Sequence, residues 1–472
     1  MISAAIFDTD IIKFIPKGVK MNIIIVGCGK VGYALAKQLS EEDHDITVID
    51  TDSEHLQDAV SVLDVQAVQG NGTSYKIQME ADVENADLLI AVTGKDEINL
   101  LSCLIAKKAG NCQTIARVRD PHYFSEISFI KEELGLSLAI NPERTAALEM
   151  ARLIHFPSAI EVDTFNKGRI NLISVTIPRG SVVDGMNLIA FSQTFSRSIL
   201  VCIVMREDQI IIPDGSFVLK EGDTISCILS LRDSYTFFHK IGIKSNPIKN
   251  VLICGGGTIS YYLAQELIKA RVSVKIVEED NSRCEFLSEA IPQALVIHGD
   301  ATDKHVLLEE GIRQADAVVS ITNIDEENIM LSLYAQTVSN AKTITKVNKI
   351  DFEEVLSELP IGSVIRPKEI TSEYIIKYVR SMQNSFGSNV ETLYRLVCGK
   401  VEALEFLIKE DSQVTDRPIS ELKIKSDILI ASIARKGKLI TPSGKDEIKP
   451  GDSVIIVTTR KGLTGITDIL EV

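Results

Sequence analysis

No apolar run in the 472 residues approaches the ~20 needed to cross a bilayer, so nothing here reads as a transmembrane helix. The N-terminus lacks a signal-peptide pattern. Basic residues are the minority. Fifty Lys and Arg against 65 Asp and Glu give a formal net charge of −15, which argues against nucleic acid as a general partner. The eight cysteines (Cys28, Cys103, Cys112, Cys202, Cys227, Cys254, Cys284 and Cys398) form no CxxC pair and lie mostly in apolar segments. That is the pattern of reduced core thiols, not of metal ligands or a disulfide framework. No GxSxG, Walker GxxxxGK(S/T) or HExxH motif occurs. The seven histidines (His44, His55, His122, His155, His239, His298 and His305) show no dyad or metal spacing and read as surface or loop residues. A dehydrogenase needs an acid or base and a substrate pocket beside its cofactor. These absences favour binding over turnover.

What is present is a repeat. GCGKVG at 27–32 and GGGTIS at 255–260 each follow a short apolar run, NIIIV at 22–26 and NVLIC at 250–254, and each opens a helical pattern. The same order of elements then recurs: ITVID (46–50) with VKIVE (274–278), AVQGNGT (67–73) with VIHGDAT (296–302), and ADLLIAVT (86–93) with ADAVVSIT (315–322). KDEINLLS (95–102) pairs with IDEENIML (324–331), and TIARV (114–118) with TITKV (343–347). Strands alternating with helical segments imply parallel βαβ units, hence two Rossmann-like, doubly wound parallel sheets in an α/β chain. A proline and a long amphipathic helix pattern follow in each half, at 142–156 and 367–382. Their apolar faces are expected to make subunit contacts, with packing inside one chain as the alternative. Short β-like runs with turns come next: 170–177, 208–215 and 223–229 in the first half, 427–435 and 452–458 in the second, with the turns KEGD (220–223) and KPGD (449–452) in equivalent places. Each parallel sheet is therefore expected to precede a small α+β domain. Because single cores seldom grow beyond ~250 residues, several domains are required in any case. The expected boundaries are a leader at 1–20, disordered or preceding a true start at Met21, and Rossmann domains at 21–141 and 248–366. Crossover segments fall at 142–160 and 367–386, and small domains at 161–243 and 387–472.

A strand, a glycine turn and a helix start form a phosphate-binding corner, because the helix N-terminus offers unpaired N–H groups and a positive dipole end. In the first repeat, Gly27 is assigned the tight turn, Gly29 the close approach to phosphate and Gly32 the packing of helix on strand. Cys28, Lys30 and Val31 complete that corner. Asp50 stands where a carboxylate accepts from a ribose hydroxyl. It would repel a 2′-phosphate, which argues against NADP but does not separate NAD from ATP or AMP. Asn71 and Thr73 either line the adenine side of the cleft or stabilise their turn. Thr93 faces the crevice by topology. Arg117 and Arg119 either grip phosphate oxygens or form an interdomain ion pair. At the second corner Gly255, Gly257 and Glu278 are kept. Ser260 replaces the third glycine, and Lys346 and Asn348 stand for the two arginines, so that corner is either a weaker site or a structural relic.

GCGKVG, the acid at Asp50, GNGT, AVTGKDEINLLS, ARVRDPHY and the KPGD turn, in this order and largely twice over, resemble the cytoplasmic regulatory subunits of Trk-type potassium uptake systems. The resemblance covers essentially 21–472. It implies tandem RCK modules, each a KTN Rossmann domain with a small C-terminal domain, and no catalysis. It further implies a homo-oligomeric ring, peripherally attached to the inner face of the cell membrane under a Trk-type integral-membrane potassium transporter. Occupancy by NAD(H), or by ATP or ADP, would change the ring's shape. The competing readings are an NAD-dependent oxidoreductase and a scaffold indifferent to nucleotides.

Overall fold

The computed structural model describes residues 20–156, 161–165, 170–195, 199–207, 209–229, 231–243, 247–349, 355–356, 359–385, 390–397, 400–461, 463 and 465–471. The leader at 1–19 and Cys398 lie outside these residues.

The first repeat's apolar runs become β1 (Asn22–Val26), β2 (Asp45–Asp50), β3 (Gln66–Gln69), β4 (Leu88–Ala91), β5 (Gln113–Arg117) and β6 (Leu138–Ile140). They form one sheet in the order β3-β2-β1-β4-β5-β6. All its pairs are parallel. Four of the five residues of β1 are buried, as a strand covered by helices on both faces must be. The strand order reverses between β1 and β4, and in open parallel sheets the crevice at that reversal is where ligands bind.

A five-stranded antiparallel sheet follows, built from β7 (Glu161–Phe165), β8 (Ile170–Thr176), β9 (Leu200–Arg206), β10 (Gln209–Ile211) and β11 (Thr224–Ile228), in the order β10-β9-β11-β8-β7. The second repeat supplies β12 (Asn250–Cys254), β13 (Ser273–Glu278), β14 (Leu295–His298), β15 (Ala317–Ser320), β16 (Lys342–Lys346) and β17 (Ser363–Ile365). Their order, β14-β13-β12-β15-β16-β17, repeats that of the first sheet, again with parallel pairs. The last sheet holds β18 (Val390–Leu396), β19 (Val401–Leu407), β20 (Ile428–Arg435), β21 (Lys438–Ile440) and β22 (Ser453–Thr458), ordered β18-β19-β22-β20-β21 and antiparallel throughout.

The chain folds into two compact units, and like pairs with like: 21–159 with 245–376, and 160–244 with 377–472. In the unit of small domains, Phe165, Leu172 and Ile203 share a core with Leu396, Ala403 and Val457. Two salt bridges anchor the equivalent turns. Asp223 takes a bidentate pair from Arg206 at 2.7 and 2.7 Å, and Asp452 takes one from Arg435 at 2.8 and 2.7 Å. Both carboxylates are buried. Each also caps its own turn, accepting from Lys220 N and Lys449 N at 2.8 Å.

In the unit of parallel sheets, the helix Pro142–His155 corrects one expectation. Its apolar face, with Ala146, Ala147, Met150, Leu153 and Ile154, is buried in the same core as Ile259, Leu263 and Leu267 of the second repeat. Asn141 caps that helix and reaches Tyr262 Oη at 3.2 Å. Duplication put a matching surface on the same polypeptide, and a tethered partner competes at high effective concentration. The helix Pro367–Ser385 likewise buries Ile375, Ile376 and Val379 within the chain. Among the described residues, no helix is long and apolar enough to cross a membrane.

Candidate functional site

At the carboxyl end of β1 the chain turns sharply. Gly27 has φ +98°, and a Cβ there would lie 3.0 Å from Thr93 N. Its N–H donates to Ile49 O at 2.8 Å. Gly32 sits in the first turn of the helix Lys30–Glu41, where a Cβ would come within 1.8 Å of Gly27 O. Only glycine allows this helix to lie so close to the strand. Gly29 is the N-cap of the helix, and a Cβ on it would meet nothing within 4 Å. No side chain caps that terminus, so its leading N–H groups and dipole end remain available for an anion.

These residues form one wall of a cleft of about 550 Å³, a size suited to a small ligand. Gly27, Gly29, Lys30, Val31, Asp50, Asn71, Thr93 and Arg117 all line it. Cys28, Gly32, Thr73 and Arg119 are not in that lining. Cys28 serves through its backbone, donating its N–H to Asp50 Oδ2 at 2.5 Å. Thr73 is drawn into a turn in which Asn71 Oδ1 accepts from its N–H (3.0 Å) and its hydroxyl (2.9 Å). Arg119 takes the ion-pair alternative, meeting Glu143 at 2.7 Å through both Nε and Nη2.

Asp50 has two tasks. Besides the Cys28 N–H, its Oδ1 accepts from Asp52 N at 2.9 Å. Each oxygen keeps a further lone pair for a hydroxyl. Arg117 donates Nη2 to Thr93 O, while its Nε is buried without a partner. Burial, and then the neighbouring Arg119, lower the Arg117 pKa. A buried guanidinium N–H without a partner is costly, and Arg117 is also one of the residues lining the cleft. The uncapped helix, the space beyond Gly29, Lys30 and the orphaned Arg117 Nε together fit a phosphate-bearing nucleotide.

Two features of this cleft are not legible in the motifs. One is Asn99, fully buried, which clamps the ends of β4 and β5. Its Oδ1 accepts from Thr93 N (2.8 Å) and Oγ1 (2.7 Å), and its Nδ2 donates to Thr93 O (3.2 Å) and Arg117 O (2.9 Å). Asn328 repeats the clamp with Thr322 N (2.7 Å), Thr322 O (3.2 Å) and Lys346 O (3.0 Å). Its signal was recurrence at the same place in the paired segments. The other is His55, expected as a plain surface or loop residue, which lines the cleft with Nδ1 3.9 Å from both Asp50 and Asp52. His55 is an exposed surface residue as expected, whereas His44 is buried and accepts from Met21 N at 3.2 Å.

The second corner keeps the frame but fills it with its own groups. Gly255 has φ +104°, and Gly257 is an N-cap without a side-chain cap. Glu278 accepts from Gly256 N and, at 2.9 Å, from Asp280 N. Ser260 donates its hydroxyl to Gly255 O. Arg283 donates Nε to Gly256 O at 2.8 Å, and the buried Lys346 ammonium reaches Ile321 O at 3.4 Å. Both cations bond backbone carbonyls, while Arg283 Nη2 is buried without a partner.

No cysteine is among the residues lining the first cleft. Burial, then Asp50, pushes the Cys28 thiol up to about 11, and the other described cysteines are buried, each with its thiol pKa raised by burial. Among the described residues, no group of three or more His, Cys, Asp or Glu could hold a metal ion.

The TrkA-N domain family matches residues 23–142 and 251–367, and the TrkA-C domain family matches 172–238 and 403–470. The Trk system potassium uptake protein TrkA homolog of Archaeoglobus fulgidus is 33% identical over 453 residues, covering 96% of this chain and 100% of that protein. The Trk system potassium uptake protein TrkA of Haemophilus influenzae is 31% identical over 445 residues, covering 93% of this chain and 96% of its own. Among solved structures, the GsuK channel bound to NAD superposes with a TM-score of 0.60 at 17% identity, covering 94% of this chain and 77% of that one. The GsuK RCK domain gives 0.59 at 17% identity, covering 94% and 93%. At that identity the likeness concerns the fold.

Proposed function

The chain belongs to the TrkA family, with two TrkA-N and two TrkA-C domains in tandem, and on that premise we propose that it is a non-catalytic, nucleotide-sensing regulatory subunit of a Trk-type potassium transporter. The observation that carries the sensing role is the first cleft, with its uncapped helix terminus, Lys30 and Arg117 around open space. In this reading Gly29 N–H, Lys30 and Arg117 hold phosphate oxygens, Asp50 accepts from a ribose hydroxyl, and Asn71 and Thr93 border the base. NAD(H) is the first ligand to consider, since a relative in fold binds NAD, with ATP and ADP next. Gly255, Gly257 and Glu278 keep the second corner's shape, and bound nucleotide there is secondary.

Regulation then follows from linkage. A nucleotide shifts the subunit only by its difference in affinity between two assembly geometries. A tenfold preference supplies ~1.4 kcal/mol per site, so several sites in a homo-oligomeric ring must act together to switch a transporter decisively. The subunit would do this from the inner face of the membrane, held there by the transporter.

Calorimetric titration of the full chain with NADH, NAD, ATP, ADP and NADPH tests the site. The expected result is saturable binding of at least one 2′-hydroxyl nucleotide, weaker binding of NADPH, and loss of the 2′-hydroxyl nucleotide's binding in Asp50→Arg. No heat with any of the five ligands would leave only the scaffold reading. Consumption of NADH by the chain would instead favour the oxidoreductase.

A further inference from the structure

The cleft of the first repeat has one wall residue that its own repeat does not supply. Lys368 lies in its lining, on the opening turn of the helix Pro367–Ser385 that leaves the second parallel sheet. That turn is firmly seated. Thr371 Oγ1 donates to Pro367 O at 2.7 Å, and Ser372 Oγ donates to Lys368 O at 3.2 Å. Ile370 packs against the second repeat's core, and Ile375 and Ile376 are buried. The backbone that carries Lys368 is therefore fixed, and Lys368 is part of the cleft lining.

The first repeat's equivalent helix opens with the opposite charge. There the residue after the proline is Glu143, 13% exposed and paired with Arg119 at 2.7 Å. Next to it, Asn141 touches Tyr262 of the second repeat. Duplication should have given both helices the same opening residue, yet the one directed to the first cleft carries a cation. With Lys368 included, three cations (Lys30, Arg117, Lys368) face two carboxylates (Asp50, Asp52) in that lining.

We propose that Lys368 is a specificity-determining contact for the anionic part of the first cleft's ligand, so that a phosphate-bearing nucleotide there touches both Rossmann repeats at once. The proposal rests on the nucleotide reading of that cleft. Its added content is that phosphate recognition is shared between the repeats, which makes ligand binding sensitive to how they pack.

The test is calorimetric titration of the full chain with ADP and with adenosine, which lacks phosphate, for wild type, Lys368→Met and Lys368→Arg. Loss of one charge-assisted contact predicts about tenfold weaker ADP binding in Lys368→Met, with adenosine affinity and melting temperature unchanged. Lys368→Arg should restore ADP binding to within about threefold. Unchanged ADP affinity in Lys368→Met would overturn the proposal. Equal weakening of ADP and adenosine would do so too, since that marks a structural role. If wild type binds neither ligand nor any other adenine nucleotide, the underlying reading fails and takes this one with it.

Discussion

Replacing Asn99 by alanine should separate what holds the first cleft together from what merely holds the fold. The side chain makes four hydrogen bonds to Thr93 and Arg117, three of them to backbone groups at the ends of β4 and β5. A net hydrogen bond contributes about 1 kcal/mol, and a buried group left unpaired costs somewhat more. The loss is therefore about 3–4 kcal/mol of local stability. At 1.4 kcal/mol per factor of ten, amide exchange at Thr93 should accelerate about 10²- to 10³-fold. Because Thr93 and Arg117 both line the cleft, nucleotide affinity should fall at least about tenfold. Asn328→Ala is the internal control. It removes three equivalent bonds at the second corner and should speed exchange at Thr322 to a similar degree, while first-cleft affinity stays within about twofold. Hydrogen exchange by mass spectrometry and nucleotide titration, run on both variants, read this directly. Equal loss of affinity in the two variants, or slow exchange at Thr93 in Asn99→Ala, would show that Asn99 does not hold the cleft in this way.

Gly32→Ala should force the helix Lys30–Glu41 off β1, because the new Cβ falls 1.8 Å from Gly27 O. A cost of about 2–3 kcal/mol and abolished nucleotide binding are expected, checked by urea unfolding and titration. Asp223→Asn should lower the stability of the first small domain by about 3 kcal/mol near neutral pH, since Arg206 loses its ionised partner. Burial alone would raise the Asp223 pKa, but Arg206 and the Lys220 N–H hold it below the ordinary value. A depressed carboxyl stabilises the fold above the unfolded pKa of ~3.9, and that contribution disappears as pH falls through the folded value. The gap between wild type and Asp223→Asn in unfolding experiments should therefore close below about pH 4.

Much of this architecture was legible because it is written in backbone chemistry. Alternating apolar runs, paired glycine turns and strand-end acids placed both parallel sheets, and Gly27, Gly29 and Asp50 fell where the motif puts them. Side-chain destinations were less readable. Arg117 and Arg119 are two residues apart on one strand end, and nothing local says that one enters the cleft while the other turns to Glu143. Asn71 and Thr73 satisfy each other because a short loop needs its own polar groups paired. The amphipathic helices at 142–156 and 367–382 declare an apolar face, but amphipathicity does not say whether the partner is another copy or the same chain. Lys368 was invisible for the same reason: its contact depends on how two domains distant in sequence come together.

If the proposed function is right, first-cleft occupancy changes what a potassium transporter does. The most direct measurement is potassium flux in vesicles holding a Trk-type transporter, with saturating NADH, ATP or no nucleotide, comparing wild type with Asp50→Arg. Flux should respond to at least one nucleotide with the wild-type subunit and be unresponsive with the variant. Flux that bound wild-type subunit leaves unaltered by every nucleotide, or an Asp50→Arg response equal to wild type, would contradict it.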